Sequence, residues 1–317
     1  MNSNLTDVPG ILVGHSTNVE AGTGCTVVLA PEDGMRGAVF VRGRATGTRE
    51  LDVLSSRHLV SKIHAILLTG GSAYGLGAAD GVLRWLAERG RGFDVGVGVV
   101  PIVPGAVIFD LSFGEPRWPD GDAGYEACDA AGTEVAEGSV GAGTGATVGK
   151  VLGAEGMMKS GIGTWSEQRG DVVVSALAVV NAFGDVRDSE GRILAGARGP
   201  DGFVDARRYL ANGGIPGGGF SREGTNTTLV IVATNTNTTR LELRSVAEMA
   251  ADALGQRITP VGTAFDGDMV FAVSAGDVKP TTAMEVELLA QHATAIAIER
   301  AVWQAKGTED VPGLGVR

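Results

Sequence analysis

Short runs of consecutive apolar residues recur along the chain and predict strands. Such runs, bounded by turn-forming residues, are typical of buried strands. Several are apolar at successive positions instead of alternating, which indicates strands that are covered on both faces. The runs lie at residues 26–29, 38–41, 63–68, 95–100, 172–180 and 229–233.

Apolar residues spaced three and four apart predict three amphipathic helices. The first stripe spans 76–86 and ends near Gly90, a residue type suited to a helix C-terminus. The others span 243–254 and about 282–306, whereas the polar, turn-rich segment 112–138 predicts an excursion on the surface. Clustered strands and long amphipathic helices together predict a layered α/β fold with helices outside and sheets inside.

Composition narrows the classes of function. The chain has 317 residues, of which 44% are hydrophobic and 20% charged, a balance that supports a substantial core in one domain of residues 1–317. Its 50 glycines show no collagen period and therefore predict tight turns and close backbone packing. With a net charge of −11 and no basic stripe, the sequence argues against a nucleic-acid partner. The basic cluster of Arg42 and Arg44 with Arg49 is too small for that role.

The absence of targeting and membrane-spanning signals gives a prediction for the cellular compartment. Residues 1–9 are polar and carry no secretory signal, and the apolar tract 95–111 is interrupted by two prolines and an aspartate. Cys25 and Cys128 are lone thiols, and the four histidines show no paired spacing. We therefore expect a cytoplasmic protein with no membrane partner, no metal and no cofactor.

Residues 224–235 are the most informative stretch. There a polar Asn-Thr-Thr step runs into the apolar residues 229–233, behind the glycine-rich segment 213–219. A hydroxyl at the start of a buried strand suits self-cleavage: Thr227 would attack the Asn226 carbonyl and become a new N-terminus whose amine serves as general base. The alternative is a loop entering a strand, with threonines present for their β-propensity.

Two glycine-rich segments are candidates for ligand contact. Residues 70–75 follow a predicted strand and open a helix, where free N–H groups can hold an anion, although a tight turn explains them equally. Residues 141–150 fail the phosphate-loop pattern, because the required first glycine falls on Thr144 and Val151 follows the lysine. Lys150 remains a candidate cation that lowers a neighbour's pKa or binds a carbonyl oxygen, with a solvated lysine as the alternative.

Polar residues at two strand ends complete the candidate set. Asn181 follows the predicted strand 172–180, where its amide can donate to a developing oxyanion or cap a turn. Asp266 and Asp268 flank a glycine just before a further apolar run. They can bind a substrate ammonium, orient the amine of Thr227, or form a simple turn.

The order of these motifs resembles the L-aminopeptidase/D-esterase (DmpA-type) family of self-processing hydrolases, over nearly the whole chain. The matching pieces are residues 70–76, 141–150, 159–164, Asn181, and Asn226-Thr227 before a valine-rich strand. The resemblance implies a four-layer αββα sandwich, shared with ornithine acetyltransferase. It also implies autocleavage into chains 1–226 and 227–317, a homotetramer of processed heterodimers and no metal.

The resemblance also assigns roles to single residues. Thr227 takes the position of the nucleophile, where many members have serine, and Asn181 matches an asparagine of the oxyanion hole. Asp266 and Asp268 fall near the substrate amine. Gly156 stands where the family has a tyrosine, and Lys150 is expected to take over part of that polar role.

The predicted function is hydrolysis of N-terminal aminoacyl amide, ester or peptide bonds through an acyl-enzyme. One alternative is an amino-acid N-acyltransferase of the ornithine acetyltransferase type, in which an amine replaces water. A second is a small-molecule binding protein that keeps the fold and never processes, and a third, nucleotide binding, depends on the glycine loops alone.

Overall fold

The computed structural model of the chain describes residues 3–217 and 226–316. The strands of its first half are β1 Leu12–Asn18, β2 Thr23–Leu29, β3 Arg36–Val41, β4 Thr48–Arg49, β5 Ala65–Thr69, β6 Phe93–Asp94, β7 Val99–Val100, β8 Gly105–Val107 and β9 Thr147–Val148. The α-helices there are α1 Ser72–Gly75, α2 Ala78–Glu88 and α3 Gly121–Asp129. Short 3₁₀ helices cover Leu5–Asp7, Leu51–Leu54, Gly141–Gly143, Lys150–Leu152 and Ala154–Gly156.

The second half holds the longest elements. Its strands are β10 Met158–Lys159, β11 Ile162–Arg169, β12 Val172–Asn181, β13 Asp185–Arg187, β14 Ile193–Ala195, β15 Arg198–Gly199, β16 Gly202–Phe203, β17 Thr227–Thr236, β18 Ile258–Thr259 and β19 Met269–Val278. Its helices are α4 Ala206–Ala211, α5 Arg240–Arg257 and α6 Ala283–Trp303. No helix within the described ranges has the length and apolar character needed to cross a bilayer.

Two five-stranded sheets face each other. The first has the order β1-β2-β5-β8-β4 and the second β11-β12-β17-β19-β3. Alternate residues of β17 show the layering: Leu229, Ile231 and Ala233 enter the core between the sheets, whereas Val230 and Val232 pack with α5 and α6. Helices α2 and α3 cover the outer face of the first sheet. The fold is the expected four-layer αββα sandwich.

Burial on both faces explains the unbroken apolar runs in the sequence. All ten residues of β12 and all ten of β17 are buried, so neither strand needs an outward polar side chain. The predicted runs 172–180 and 229–233 lie inside these strands. The predicted helix 282–306 is confirmed as α6, whose N-cap Thr282 accepts a hydrogen bond from the Glu285 backbone N–H.

One prediction on the first half is wrong and another is incomplete. The run 95–100 is not a buried strand, because it forms an exposed hairpin of β6 and β7 in which Val97 is 98% exposed. The segment 112–138 contains helix α3, which sequence periodicity missed because small residues dominate it. A Cβ added at Gly81 of α2 would lie 1.6 Å from the Gly121 carbonyl oxygen, so glycine is what lets these two helices approach closely.

The glycine motif at 159–164 has a packing role that generates a prediction. A Cβ on Gly163 of β11 would lie 2.1 Å from the Ala297 carbonyl oxygen and 2.3 Å from the Ala301 nitrogen of α6. We expect Gly163→Ala to lower the free energy of unfolding by about 1–3 kcal/mol, the usual cost of overpacking. Denaturant unfolding at fixed protein concentration measures it.

Gly132→Ala is the matched control, because nothing lies within 4 Å of the added methyl group at Gly132. Equal losses of stability in the two variants would show that the contact between β11 and α6 does not require glycine.

Candidate active site

Thr227 and Asn181 meet at one end of the core between the sheets. Thr227 begins β17, Asn181 ends β12, and the two residues are direct partners in the antiparallel register. Each continues a set of side chains that faces the core between the sheets, Leu229 and Ile231 in one strand and Leu177 and Val179 in the other. Sheet register therefore brings the predicted nucleophile and the predicted oxyanion donor together.

The carbonyl oxygen of Asn226 accepts two hydrogen bonds. The Thr227 hydroxyl donates to it at 2.6 Å, and the backbone N–H of Gly267 donates at 2.8 Å. Asn226 and Asp266 form a parallel bridge that fixes this approach of the two segments. The peptide bond before Thr227 thus has its own hydroxyl at the carbonyl and a backbone donor where negative charge would develop.

Glycine is required at position 267. A Cβ there would lie 2.7 Å from the Thr227 Oγ1 and 2.7 Å from the Ala45 carbonyl oxygen. Any side chain at this position would therefore collide with the threonine hydroxyl or with the neighbouring backbone. The space around the hydroxyl depends on the absence of that one carbon atom.

Asn181 is held by contacts on both sides of its amide. Its Oδ1 accepts from Lys150 Nζ at 2.7 Å and from the Thr147 backbone N–H at 3.1 Å. Its Nδ2 donates to the Phe109 carbonyl oxygen at 2.9 Å, the one acceptor that the described residues offer it. The second N–H of the amide has no hydrogen-bond acceptor among the described residues, and Asn181 is fully buried. The alternative role as a turn cap does not fit this network.

Lys150 lies in the interior and not in solvent. It is 1% exposed, and Nζ also donates to the Asn181 carbonyl oxygen at 3.2 Å. Burial lowers the pKa of Lys150 to about 7, while the carboxylates of Asp266 and Asp110 oppose that shift. Gly149 precedes it with φ +70°, so the glycine turn seen in the sequence serves to deliver this amine to Asn181.

Asp266 and Asp268 accept hydrogen bonds from backbone groups around Thr227. Asp268 receives the N–H groups of Thr228 at 2.7 Å and Gly262 at 3.2 Å, and Asp266 receives that of Thr263 at 2.7 Å. Both are buried, at 3% exposure for Asp266 and 1% for Asp268. Burial raises the pKa of both carboxyls, that of Asp268 to about 7 with help from the nearby Asp266.

These contacts bear on the role expected for the two carboxylates. Neither Asp266 nor Asp268 lines the cavity beside Thr227, and both oxygens of Asp268 are used by backbone donors. The geometry favours a positioning role for Asp268 over direct contact with a substrate ammonium.

A cavity of about 530 Å³ opens beside Thr227. Its other lining residues are mostly small or apolar: Arg44, Ala45, Thr46, Gly47, Ser72, Ala73, Val107, Phe109 and Ala264. Ser72 and Ala73 come from the 70–75 turn, which Asp110 fixes by accepting the Gly71 N–H at 2.6 Å. This turn therefore shapes the cavity wall. Gly156, where a tyrosine was expected, does not line it.

Sequence reasoning missed the Gly267 N–H and Phe109. A backbone donor leaves no trace in residue type, and Phe109 reaches the cavity only through tertiary packing. Ser72 belongs to the segment 70–75, which the sequence predicted for ligand contact. Of the predicted glycine-rich approach 213–219, residues 218 and 219 lie outside the described ranges, as does Thr225. Gly217 is described, and its N–H donates to the Val151 carbonyl oxygen at 2.8 Å, next to Lys150.

The chain matches a family model and is similar to several known proteins. The model of peptidase family S58 matches residues 3–313. An uncharacterized aminopeptidase of Mycobacterium tuberculosis is 44% identical over 297 residues, covering 88% of this chain and 83% of the relative. A 6-aminohexanoate-oligomer endohydrolase of Agromyces sp. is 33% identical over 287 residues, covering 87% and 76%.

A solved structure shares the fold. The L-aminopeptidase D-Ala-esterase/amidase from Ochrobactrum anthropi, described as a prototype for the serine aminopeptidases and a variant of the Ntn hydrolase fold, superposes with a TM-score of 0.74. It is 18% identical, and the match covers 100% of this chain and 91% of that one. The likeness supports the αββα architecture.

The raised pKa of Asp268 gives a prediction for stability against pH. The stabilisation from protonated Asp268 is complete below its unfolded pKa of about 3.9 and is lost as the pH rises through about 7. In Asp268→Asn the side-chain NH₂ group also faces a backbone N–H in place of an acceptor oxygen. The unmet hydrogen bond costs about 1–3 kcal/mol of stability. We expect the excess stability of wild type over this variant to shrink between pH 5 and pH 8, measured by denaturant unfolding.

Asp33→Asn, the same substitution at an exposed position, provides the control. A difference for Asp268→Asn that stays constant or grows over this range would contradict the assignment.

Proposed function

Because the chain belongs to peptidase family S58 and is a hydrolase, we propose that it cleaves its own Asn226–Thr227 bond and then uses Thr227 as an N-terminal nucleophile. The observation that carries the proposal is the pair of hydrogen bonds on the Asn226 carbonyl oxygen, from the Thr227 hydroxyl and the Gly267 N–H. A nucleophile and a charge-stabilising donor thus share one peptide bond.

Processing takes place in two steps. Thr227 Oγ1 adds to the Asn226 carbonyl carbon, the carbon–nitrogen bond breaks, and the proton from the hydroxyl goes to the departing nitrogen. Water then opens the ester, leaving a carboxylate on Asn226 and a free amine on Thr227. The mature chains are 1–226 and 227–317. The branched threonine is stiff at χ1, which helps to hold the attack geometry.

The mature enzyme uses the new amine as its general base. An α-amine has a reference pKa of about 7.7–8.0, so a large neutral fraction is available near neutral pH. It takes the proton from Oγ1 as the oxygen attacks a substrate carbonyl, and the proton then goes to the leaving group. Water hydrolyses the resulting acyl-enzyme.

Asn181 and Lys150 stabilise the transition state in this proposal. The second N–H of Asn181 donates to the oxyanion, an interaction commonly worth ~3 kcal/mol. Lys150 binds the Oδ1 of Asn181, which fixes the direction of that N–H. Asp266 and Asp268 position the backbone around Thr227, and Asp266 also interacts electrostatically with Lys150.

The substrate class follows from the cavity and the relatives. The cavity of about 530 Å³ has room for a short peptide or an aminoacyl amide or ester. Relatives are named as an aminopeptidase and as a hydrolase of 6-aminohexanoate oligomers. We propose aminoacyl amides, esters and short peptides as substrates of a cytoplasmic homotetramer of processed heterodimers. Membership of a peptidase family favours hydrolysis over the acyltransferase and the non-processing alternatives.

Intact-mass spectrometry tests self-processing. Wild type, freshly purified and after prolonged incubation, should give the fragments 1–226 and 227–317, whereas Thr227→Ala should remain one chain because it has no nucleophile. Thr228→Ala is the matched control: it removes the adjacent hydroxyl on the opposite face of β17 and should still process. An intact wild type after long incubation would refute the free-amine mechanism.

Asn181→Asp tests the oxyanion donor. The variant keeps an acceptor for Lys150 and loses the Nδ2 donor, so we expect kcat on an aminoacyl amide to fall by about 10²–10³. Cleavage of the Asn226–Thr227 bond should still occur, because the Asn226 carbonyl oxygen is hydrogen-bonded to the Gly267 N–H. Steady-state kinetics on protein whose cleavage has been verified by mass measure the effect. An unchanged kcat would remove Asn181 from the mechanism.

A further inference from the structure

The backbone of residues 42–45 is anchored beside the nucleophile. The N–H groups of Arg44 and Ala45 donate to the Asp266 carbonyl oxygen at 2.9 and 3.1 Å, and those of Arg42 and Gly43 donate to the Asp268 carbonyl oxygen at 3.0 and 2.8 Å. The Ala45 carbonyl oxygen and the Thr227 hydroxyl both lie 2.7 Å from the position that a Cβ on residue 267 would occupy. The segment that carries Arg44 is therefore fixed by hydrogen bonds to residues 266–268, which precede β19 and lie against Asn226 and Thr227.

Arg44 differs from the other members of its basic cluster. Arg42 donates to the Ala251 carbonyl oxygen at 3.1 Å, and Arg49 pairs with Asp80 at 2.7 Å. The exposed guanidinium of Arg44 has neither an ion pair nor a hydrogen bond with any residue in 3–217 or 226–316.

The cavity gives this cation a ligand-binding context. Arg44 lines the same cavity as Thr227, and it is the one charged residue among the described residues that do so. Alanines, a glycine and the apolar Val107 and Phe109 make up most of the remaining wall. A guanidinium presents a planar fork of donors that matches a carboxylate in two parallel hydrogen bonds.

From this arrangement we infer that Arg44 forms a carboxylate-binding subsite of the catalytic cavity. The preferred substrates, on the proposed function, are aminoacyl compounds that also carry a carboxylate. The carboxylate comes either from the leaving group, as in a short peptide with a free C-terminus, or from the acyl side chain. Arg44 acts on substrate binding and leaves the chemistry at Thr227 unchanged.

Two substrate pairs separate the two sources of the carboxylate. The first compares L-alanylglycine with L-alanylglycinamide, which differ only in the charge of the leaving group. The second compares L-aspartyl with L-asparaginyl 4-nitroanilide, which differ only in the charge of the acyl side chain. In one of the pairs, wild type should prefer the carboxylate by about tenfold in kcat/KM, a modest value because the arginine is exposed.

Variants of Arg44 test the subsite. Arg44→Gln should raise KM for the preferred carboxylate substrate by about tenfold, with kcat and the neutral partner nearly unchanged. Arg44→Lys keeps the charge and loses the planar fork of donors, so its KM should lie between those of wild type and Arg44→Gln. Added salt should weaken the preference in wild type only. Arg207→Gln, an exposed arginine on α4 outside the cavity, is the matched control.

The outcomes distinguish this inference from the proposed function. Turnover of both members of each pair with no preference for the carboxylate, or equal losses on both in Arg44→Gln, overturns the subsite and leaves the hydrolase intact. If wild type turns over none of these compounds, the proposed function fails. In that case, calorimetry measures the binding of L-alanylglycine and of L-alanylglycinamide to Thr227→Ala, with and without Arg44→Gln. A preference for the carboxylate that disappears in the Arg44→Gln variant supports the subsite. No preference for the carboxylate overturns it.

Discussion

The strand that begins at Thr227 is hydrogen-bonded on both sides, antiparallel to β12 and parallel to β19. This pairing fixes the first residue of β17 without help from the chain before it. Each backbone hydrogen bond contributes a net ~0.5–1.5 kcal/mol, and both ladders extend along a fully buried strand. If the peptide bond before Thr227 breaks, as proposed, the ladders persist and the new N-terminus stays beside Asn181. Placement of the nucleophile is therefore a property of the sheet, and the loop ahead of it need only bring Asn226 into reach.

The site concentrates ionisable groups where burial opposes their charges. Lys150, Asp266 and Asp268 are all buried, and an isolated charge in such a place costs several kcal/mol. Backbone N–H groups on the carboxylates and the amide oxygen of Asn181 on the lysine offset part of that cost. The pKa values of Lys150 and Asp268 both move to about 7, from opposite directions. Such burial is unfavourable for stability, and it gives two groups pKa values near neutral pH. This combination is typical of catalytic sites.

The elements with strong local signals were predictable from sequence. Strands β12 and β17 and helix α6 follow from apolar runs and periodicity, and the change from polar Asn226-Thr227 to an apolar run marks the start of β17. Helix α3 was missed because its small residues give no stripe, and the hairpin of β6 and β7 was misassigned because its valines resemble a buried strand. The site needed more than this. Register decides that Asn181 faces Thr227, and the Gly267 N–H becomes a donor only when β19 pairs with β17. Residue types at 266–268 could not distinguish a substrate contact from support of the backbone, since both use the same carboxylates.

Two carbonyl groups must reach Thr227 Oγ1 in the proposed mechanism, and they approach from different sides. The Asn226 carbonyl belongs to the peptide bond just before Thr227, and its oxygen accepts a hydrogen bond from the Gly267 N–H. A substrate carbonyl arrives through the cavity, whose wall includes Phe109, and Asn181 Nδ2 already donates to the Phe109 carbonyl oxygen. One fixed donor cannot serve both directions equally well, because hydrogen bonds weaken steeply away from linearity. A backbone donor for the single processing event and a side-chain donor held by Lys150 for repeated turnover resolve that conflict. On this view Lys150 is buried because the donor used in turnover is a side chain, which needs a fixed partner to hold its direction, whereas the Gly267 N–H is fixed by the sheet itself.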